Sequence, residues 1–180
     1  MAVSTTTTPA SFNISDFREK IGTIVRPNLW YASIVSTGIS PQSSVPNFSF
    51  RCESSTIPGR TVATIDDVGS GPSLKIPYDV NYADHEITVI CSSDMAERKY
   101  FEGWIDNIVT KTGRVKYHED YAKGKKLELH QINEAGITLI KYTLNDIYPI
   151  QISPMNLSWE ETNTYQRFTV TLSYRNYDFS

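Results

Sequence analysis

Between Gln166 and Tyr174 the chain alternates strictly. Phe168, Val170, Leu172 and Tyr174 fall on one side, and Arg167, Thr169, Thr171 and Ser173 on the other. Successive side chains of a strand point to opposite faces, so this period predicts a strand with one buried and one polar face. Similar runs recur. Asn28–Ser36 (NLWYASIVS), the Phe48–Phe50–Cys52 alternation, Arg60–Gly69, Ser73–Val80 and His85–Ser93 all read as strands. Pro58–Gly59 ends the second of these, and Asp66–Asp67–Val68–Gly69–Ser70–Gly71–Pro72 is a turn-rich connection between the next two. Further on, KLELHQIN, ITLIKYTLNDIYPIQI, NLSWEE and YQRFTVTLSYRNY continue the strand pattern, with a hairpin turn at Glu134–Gly136.

The period changes once over a long stretch. Phe101, Trp104, Ile105 and Ile108 recur at i, i+3, i+4 and i+7, which predicts one amphipathic helix within residues 94–113. Asp94 with Glu97 has the spacing of a capping box, and Gly113 is placed to stop the helix. A shorter helix is expected over ISDFREKIG. The Thr-rich residues 1–13 read as a flexible arm before a single domain spanning 14–180. Strands, one central helix and more strands argue a mainly β (α+β) sandwich with a helix laid against it. The absence of βα alternation speaks against a parallel nucleotide-binding sheet.

Composition narrows the function. A formal net charge of -3 gives no general basic field for nucleic acid. No apolar run reaches the roughly 20 residues of a membrane-spanning helix, and the start lacks the features of a secretory leader. Cys52 and Cys91 sit in apolar runs and read as buried free thiols of a reducing compartment. His85, flanked by Asp84 and Glu86, reads as solvated or ion-paired, and His130 as an inward polar residue. The doublets Asp66–Asp67, Glu119–Asp120 and Glu160–Glu161 are turn and surface residues, since neighbours on a strand diverge. The Gly69–Ser70–Gly71 loop has no helix after it and is no phosphate cradle. The basic stretch Lys111–Lys126 reads first as a solvated loop, then as a docking surface for an acidic partner protein, and third as a nucleic-acid contact, since only Tyr117 and Tyr121 could stack there. Nothing here implies catalysis, a metal or a cofactor. What remains is a surplus of strands, whose edges are a hazard on a free monomer and an asset in a polymer.

Three segments carry a resemblance. VRPNLWYASI after a short helix, FSFRCESSTIPG, and the closing YPIQISPMNLSWEETNTYQRFTVTLSYRNY are similar to the tail tube proteins of contractile-tailed, T4-like bacteriophages, as is the helix with RKYFEGWIDNIV. The likeness covers roughly residues 14–177. It implies two antiparallel sheets packed as a sandwich or partial barrel with a flanking helix, the fold also used by secretion tubes. It implies a non-enzymatic virion protein, assembled in the bacterial host cytoplasm. Six copies form a ring and rings stack into the inner tail tube that conducts DNA at ejection, without specific binding. The expected partners are identical copies, the sheath, baseplate proteins and a tail terminator. Within that frame Asp66, Asp67, Gly69, Gly71 and Pro72 are expected to reach the next ring. Glu53, Glu86 and Glu128 are candidates for the lumen wall. Phe168, Val170, Leu172 and Tyr174 are expected in the core with Trp159 and Leu157 on a partner strand. A type VI secretion-like or baseplate-proximal subunit is the nearer alternative, and a carbohydrate-binding sandwich using Trp30, Tyr31 and Trp159 the more distant one.

Overall fold

The computed structural model describes residues 25–36, 48–67, 71, 73–160 and 164–180. The early arm, the expected helix over ISDFREKIG and the 37–47 connection lie outside the described residues.

Alternation builds the core. In β5 (His85–Ile90) and β9 (Arg167–Ser173) the side chains of Ile87, Val89, Phe168, Val170 and Leu172 are buried, and the two strands pair antiparallel with Ile87 opposite Val170. β2 (Cys52–Ser55) and β8 (Tyr148–Ile152) flank them, giving a sheet ordered β2-β5-β9-β8. The second sheet is β1 (Trp30–Ser36), β6 (Lys125–Ile132), β7 (Thr138–Asn145) and β10 (Asn176–Phe179), in the order β1-β6-β7-β10. Ala32, Leu127, Leu129 and Leu144 point from it into the same hydrophobic cluster as the β5 and β9 residues, so the sheets form a sandwich. Each large side chain buried there stabilises the fold by roughly 1.5–3 kcal/mol.

The chain crosses between sheets twice near one corner. After β7 it passes Asp146, whose φ of 53° is left-handed, and enters β8. Asp tolerates this conformation because its short side chain bonds locally. Here Asp146 Oδ1 accepts the Gly124 N–H. This break divides what the sequence pattern reads as one long strand. After β9, Tyr174 stays buried and Arg175 donates its N–H to the Asn145 carbonyl, starting β10 in the other sheet. Tyr82, Tyr174 and Tyr177 close the corner with ring centroids 5.7–5.8 Å from Tyr82.

The long helix α2 spans Ala96–Ile108 and lies beside β8. Its buried stripe is Glu97, Tyr100, Phe101 and Trp104, and Phe101 meets Phe168 edge-on at 6.1 Å. The cap differs from the expected one. Ser92 rather than Asp94 closes it: its Oγ accepts from the Ala96 N–H, while its own O–H and N–H donate to Glu97 Oε2. The helix also ends earlier than expected. Val109 is extended and bridges Val115, and Gly113 (φ 79°) sits in the turn between them. A four-residue helix α1 (Phe48–Arg51) replaces the expected alternation there, because Phe48 enters the core while Phe50 is left in solvent. A last short helix, α3 (His118–Tyr121), receives a hydrogen bond from Trp104 Nε1 at the Tyr121 carbonyl.

One pair of strands joins neither sheet. Among the described residues, β3 (Arg60–Asp67) and β4 (Leu74–Tyr82) pair only with each other, as a long hairpin.

Candidate assembly surfaces

Among the described residues the hairpin meets the core at its base, where Tyr82 packs on Tyr174 and Tyr177, and the rest of it stands clear. Of its strand residues only Ala63 and Tyr82 are even half-buried. Yet Val62 sits directly opposite Val80, and Ile65 opposite Ile76, all four exposed, with Leu74 and Tyr78 exposed beside them. A two-stranded ribbon is marginal in water, and apolar pairs at this density mark a surface meant to be covered. Asp66 and Asp67 occupy the last two positions of β3, opposite Lys75 and Leu74, at the hairpin tip. Gly71 is exposed there, while Gly69 and Pro72 lie outside the described residues. The sequence pattern marks the tip but not the apolar pairs behind it. Their signal was available in Val62 and Ile65, masked by a register shift at Ala63/Thr64 that breaks the period of two.

The outer face of the β2-β5-β9-β8 sheet is rich in hydroxyls. Ser54 faces Thr88, Thr88 faces Thr169, and Glu86 faces Thr171. Thr88 and Thr169 share a 3.3 Å hydrogen bond. Arg167 at its rim is neutralised by Glu53, 3.1 Å away, whose Oε1 also accepts the Tyr165 O–H. Glu86 is the carboxylate left exposed on this face.

The opposite sheet presents a different wall. Ser33, Glu128, Thr143 and Asp178 form one row across its four strands. Glu128 is not a bare charge. Lys141 Nζ lies 2.8 Å from its Oε1 and His130 Nε2 3.3 Å from its Oε2. Partial burial opposes ionisation of Glu128, but the bonds from Lys141 and His130 outweigh it and hold its pKa below the usual carboxylate value. His130 stacks on Tyr31 with centroids 4.5 Å apart. It therefore lies on the outer face and not inward. Glu53 and Glu86 on one sheet and Glu128 on the other look away from the core in opposite directions, so the three do not share a wall.

Phe168, Val170, Leu172 and Tyr174 are buried as expected, but Trp159 is not with them. Trp159 is fully exposed and Leu157 nearly so, and both belong to an irregular segment between β8 and β9. The strand expected over NLSWEE does not form, because the neighbours β9 needs are already supplied by β5 and β8. His85 also differs from expectation. It is buried, with Ser55 Oγ 2.9 Å from Nε2, and desolvation pushes its pKa down to about 4. Burial pushes the Cys52 thiol up to about 12, and Cys91 lies against Met155, so both cysteines are partly buried free thiols. In the basic stretch, Lys125 is buried with its ammonium 4.4 Å over the Trp104 ring, whereas Lys111, Arg114, Lys116 and Lys123 are exposed.

An exposed apolar ribbon and a sandwich with two polar walls, its outer strands paired on one side only among the described residues, are the features of an assembly subunit. The profile of the phage tail tube protein family matches residues 20–180, and the chain belongs to that family. It is 22% identical over 153 residues to the tail tube protein gp19 of Enterobacteria phage T4, covering 84% of this chain and 90% of that one, and equally so to that of phage T6. Its fold is similar to a chain of the six-fold symmetrised anti-feeding prophage baseplate, with a TM-score of 0.65 at 12% identity over 88% of this chain and 97% of that one. It is also similar to a chain of the extended sheath–tube complex of an extracellular contractile injection system, with a TM-score of 0.60 at 15% identity over 94% and 99%.

Proposed function

We propose that this tail tube protein is a structural, non-catalytic subunit that closes into rings of six, stacked as the inner tube of a contractile tail within a sheath. The observation that carries this is the β3–β4 hairpin, whose paired apolar residues are exposed among the described residues. Burying them against a neighbouring copy removes exposed apolar surface at each junction, and the outer strands β1, β10, β2 and β8, each paired on one side only among the described residues, are candidates for pairing between subunits. In this reading the hairpin tip with Asp66, Asp67, Gly69, Gly71 and Pro72 reaches the next ring. The hydroxyl face of β5 and β9 faces the lumen. Among the described residues the exposed, unpaired charge there is the carboxylate of Glu86, so the face gives DNA no cationic lattice whose counterion release would hold the genome back. The tube ends meet baseplate and terminator proteins, the subunit is made in the host cytoplasm, and its place is the virion. Negative-stain microscopy of the concentrated protein tests this. Annuli and cylinders are expected, and a species that stays single at every concentration overturns the reading.

A further inference from the structure

The exposed Trp159 is unexplained by the fold and by the hairpin. Strand register fixes where it lies. β5 ends at Ile90, paired with Arg167, and the Cys91 N–H donates to the Gln166 carbonyl, so the segment carrying Leu157 and Trp159 leaves the sandwich at the Ile90 end. At the other end of β5, Ser55 pairs with Ile87 and His85 with Leu172. Six strand residues at roughly 3.3 Å each separate the two ends by about 20 Å.

At that His85 end the wall opens into an apolar pocket of ≈ 240 Å³, lined by Pro27, Trp30, Ile57, Leu129 and Tyr142. Ile57 at its mouth is 58% exposed. An apolar cavity of roughly 150 Å³ takes up a benzene ring, so this one has room for an indole. A large aromatic at one pole and an apolar socket at the other are the two halves of a heterologous, head-to-tail contact, which repeats without limit along an axis. A fully exposed tryptophan is also the residue type that anchors interfaces once desolvated.

We infer that Trp159, with Leu157 beside it, docks into the Pro27–Trp30–Ile57–Leu129–Tyr142 pocket of a second copy stacked on the first, adding a ring-to-ring anchor apart from the hairpin. This rests on the tube reading above. The occupant is a second copy because the two features lie at opposite ends of β5 on one chain, and a tail tube repeats the chain along its axis.

The test uses the full chain. Trp159→Ala is expected to raise the concentration needed for tubes by about tenfold or more while single rings persist. Trp159 emission is expected to shift to the blue on assembly, a change absent from Trp159→Phe. Trp159→Cys with Ile57→Cys is expected to give an oxidised ladder of linked copies that neither single variant gives. Absence of tubes from the unmodified protein sinks the tube reading itself. Unmodified protein that forms tubes, with Trp159→Ala forming them equally well and no ladder from the double variant, sinks this inference alone. Filling of the pocket by the chain's own residues 1–13 would leave Trp159→Ala tubes unchanged and be exposed by deleting that arm; this result also overturns the inference.

Discussion

Arg51 Nη1 lies 3.1 Å from Glu97 Oε1, tying α1 to the first turn of α2 across the edge of the sandwich. The Glu97 side chain is only 1% exposed, and Ser92 supplies two further donors to it. Burial alone would raise its pKa, but the Ser92 bonds and the Arg51 charge hold it below the usual value. Removing one partner of such a pair strands a buried charge. Arg51→Met is expected to cost about 2–4 kcal/mol, with Glu97→Ala similarly damaging because Ser92 loses its acceptor. Urea unfolding at neutral pH checks both. Because the folded pKa is depressed, this contribution is full above the unfolded carboxylate pKa and is lost as pH falls through the folded one.

His85 acts in a higher pH window. Its pKa is near 6.5 when unfolded and about 4 when folded. Between those values the unfolded chain binds more protons, so stability falls as pH drops from 6.5 towards 4 and is unaffected by this group above 6.5. The full effect is about 3 kcal/mol at 1.36 kcal/mol per pKa unit. In the folded chain the carboxyls of Glu97 and Glu128, both held below the usual carboxylate value, do not take up protons in this window. Urea midpoints at pH 7.5 and 5 should differ for the unmodified chain and converge for His85→Gln.

Glu128 and Glu86 should respond differently to charge change. Glu128→Lys places a third basic group beside Lys141 and His130 and is expected to cost about 1–2 kcal/mol of stability, discounted because the site is partly solvated. Glu128→Gln should leave DNA passage unchanged. Glu86→Lys should fold normally and yet slow ejection, because it sets a cation on the hydroxyl-rich face opposite Thr171. Unfolding midpoints, and ejection rates from particles carrying each variant, read the two effects separately.

Lys125 is buried over Trp104, and burial, with Lys116 nearby, lowers its pKa. The ring recovers part of the cost of desolvating an ammonium, but not all of it. Lys125→Met keeps the volume and drops the charge. Its stability is expected to be equal or higher by about 1 kcal/mol. Trp104→Phe should lose about 1–2 kcal/mol, since the Tyr121 carbonyl forfeits the indole donor. Thermal melts of the two variants check these opposite signs.

The sandwich was legible wherever one face is buried and the period holds, as in β5, β9 and the α2 stripe. It was illegible where tertiary contacts decide. Phe48 and Phe50 alternate like strand residues, but only one finds the core. Asp146 breaks a run whose hydrophobicity is continuous, because its backbone turns the chain from one sheet to the other. His85 looks solvated between two acids, but its strand parity aims it inward to Ser55. The resemblance places Trp159 on a strand partnering β9, but β5 and β8 already hold both sides of β9, so its segment stays irregular and exposed. Glu53, Glu86 and Glu128 look equivalent in sequence. Only the sheet order separates them into two walls, and only the partners Arg167 and Lys141, both distant in sequence, reveal that Glu53 and Glu128 are already paired while Glu86 is left exposed.

The hairpin offers the sharpest separation of folding from assembly. Val62, Ile65, Ile76 and Val80 are 41–61% exposed on the single chain, so they contribute little to its core. Ile65→Asp with Ile76→Lys keeps an attractive cross-strand pair in register and removes the apolar one. The unfolding free energy of the dispersed subunit should therefore move by no more than about 0.5 kcal/mol, the usual range for exposed positions. Assembly should fail, because each junction then buries charge against a neighbour built for apolar contact. Sedimentation at increasing concentration, beside a urea titration of the dispersed protein, distinguishes the outcomes. Loss of both stability and assembly would mean that the ribbon supports the fold, and normal tubes would mean that the ribbon is not where copies meet.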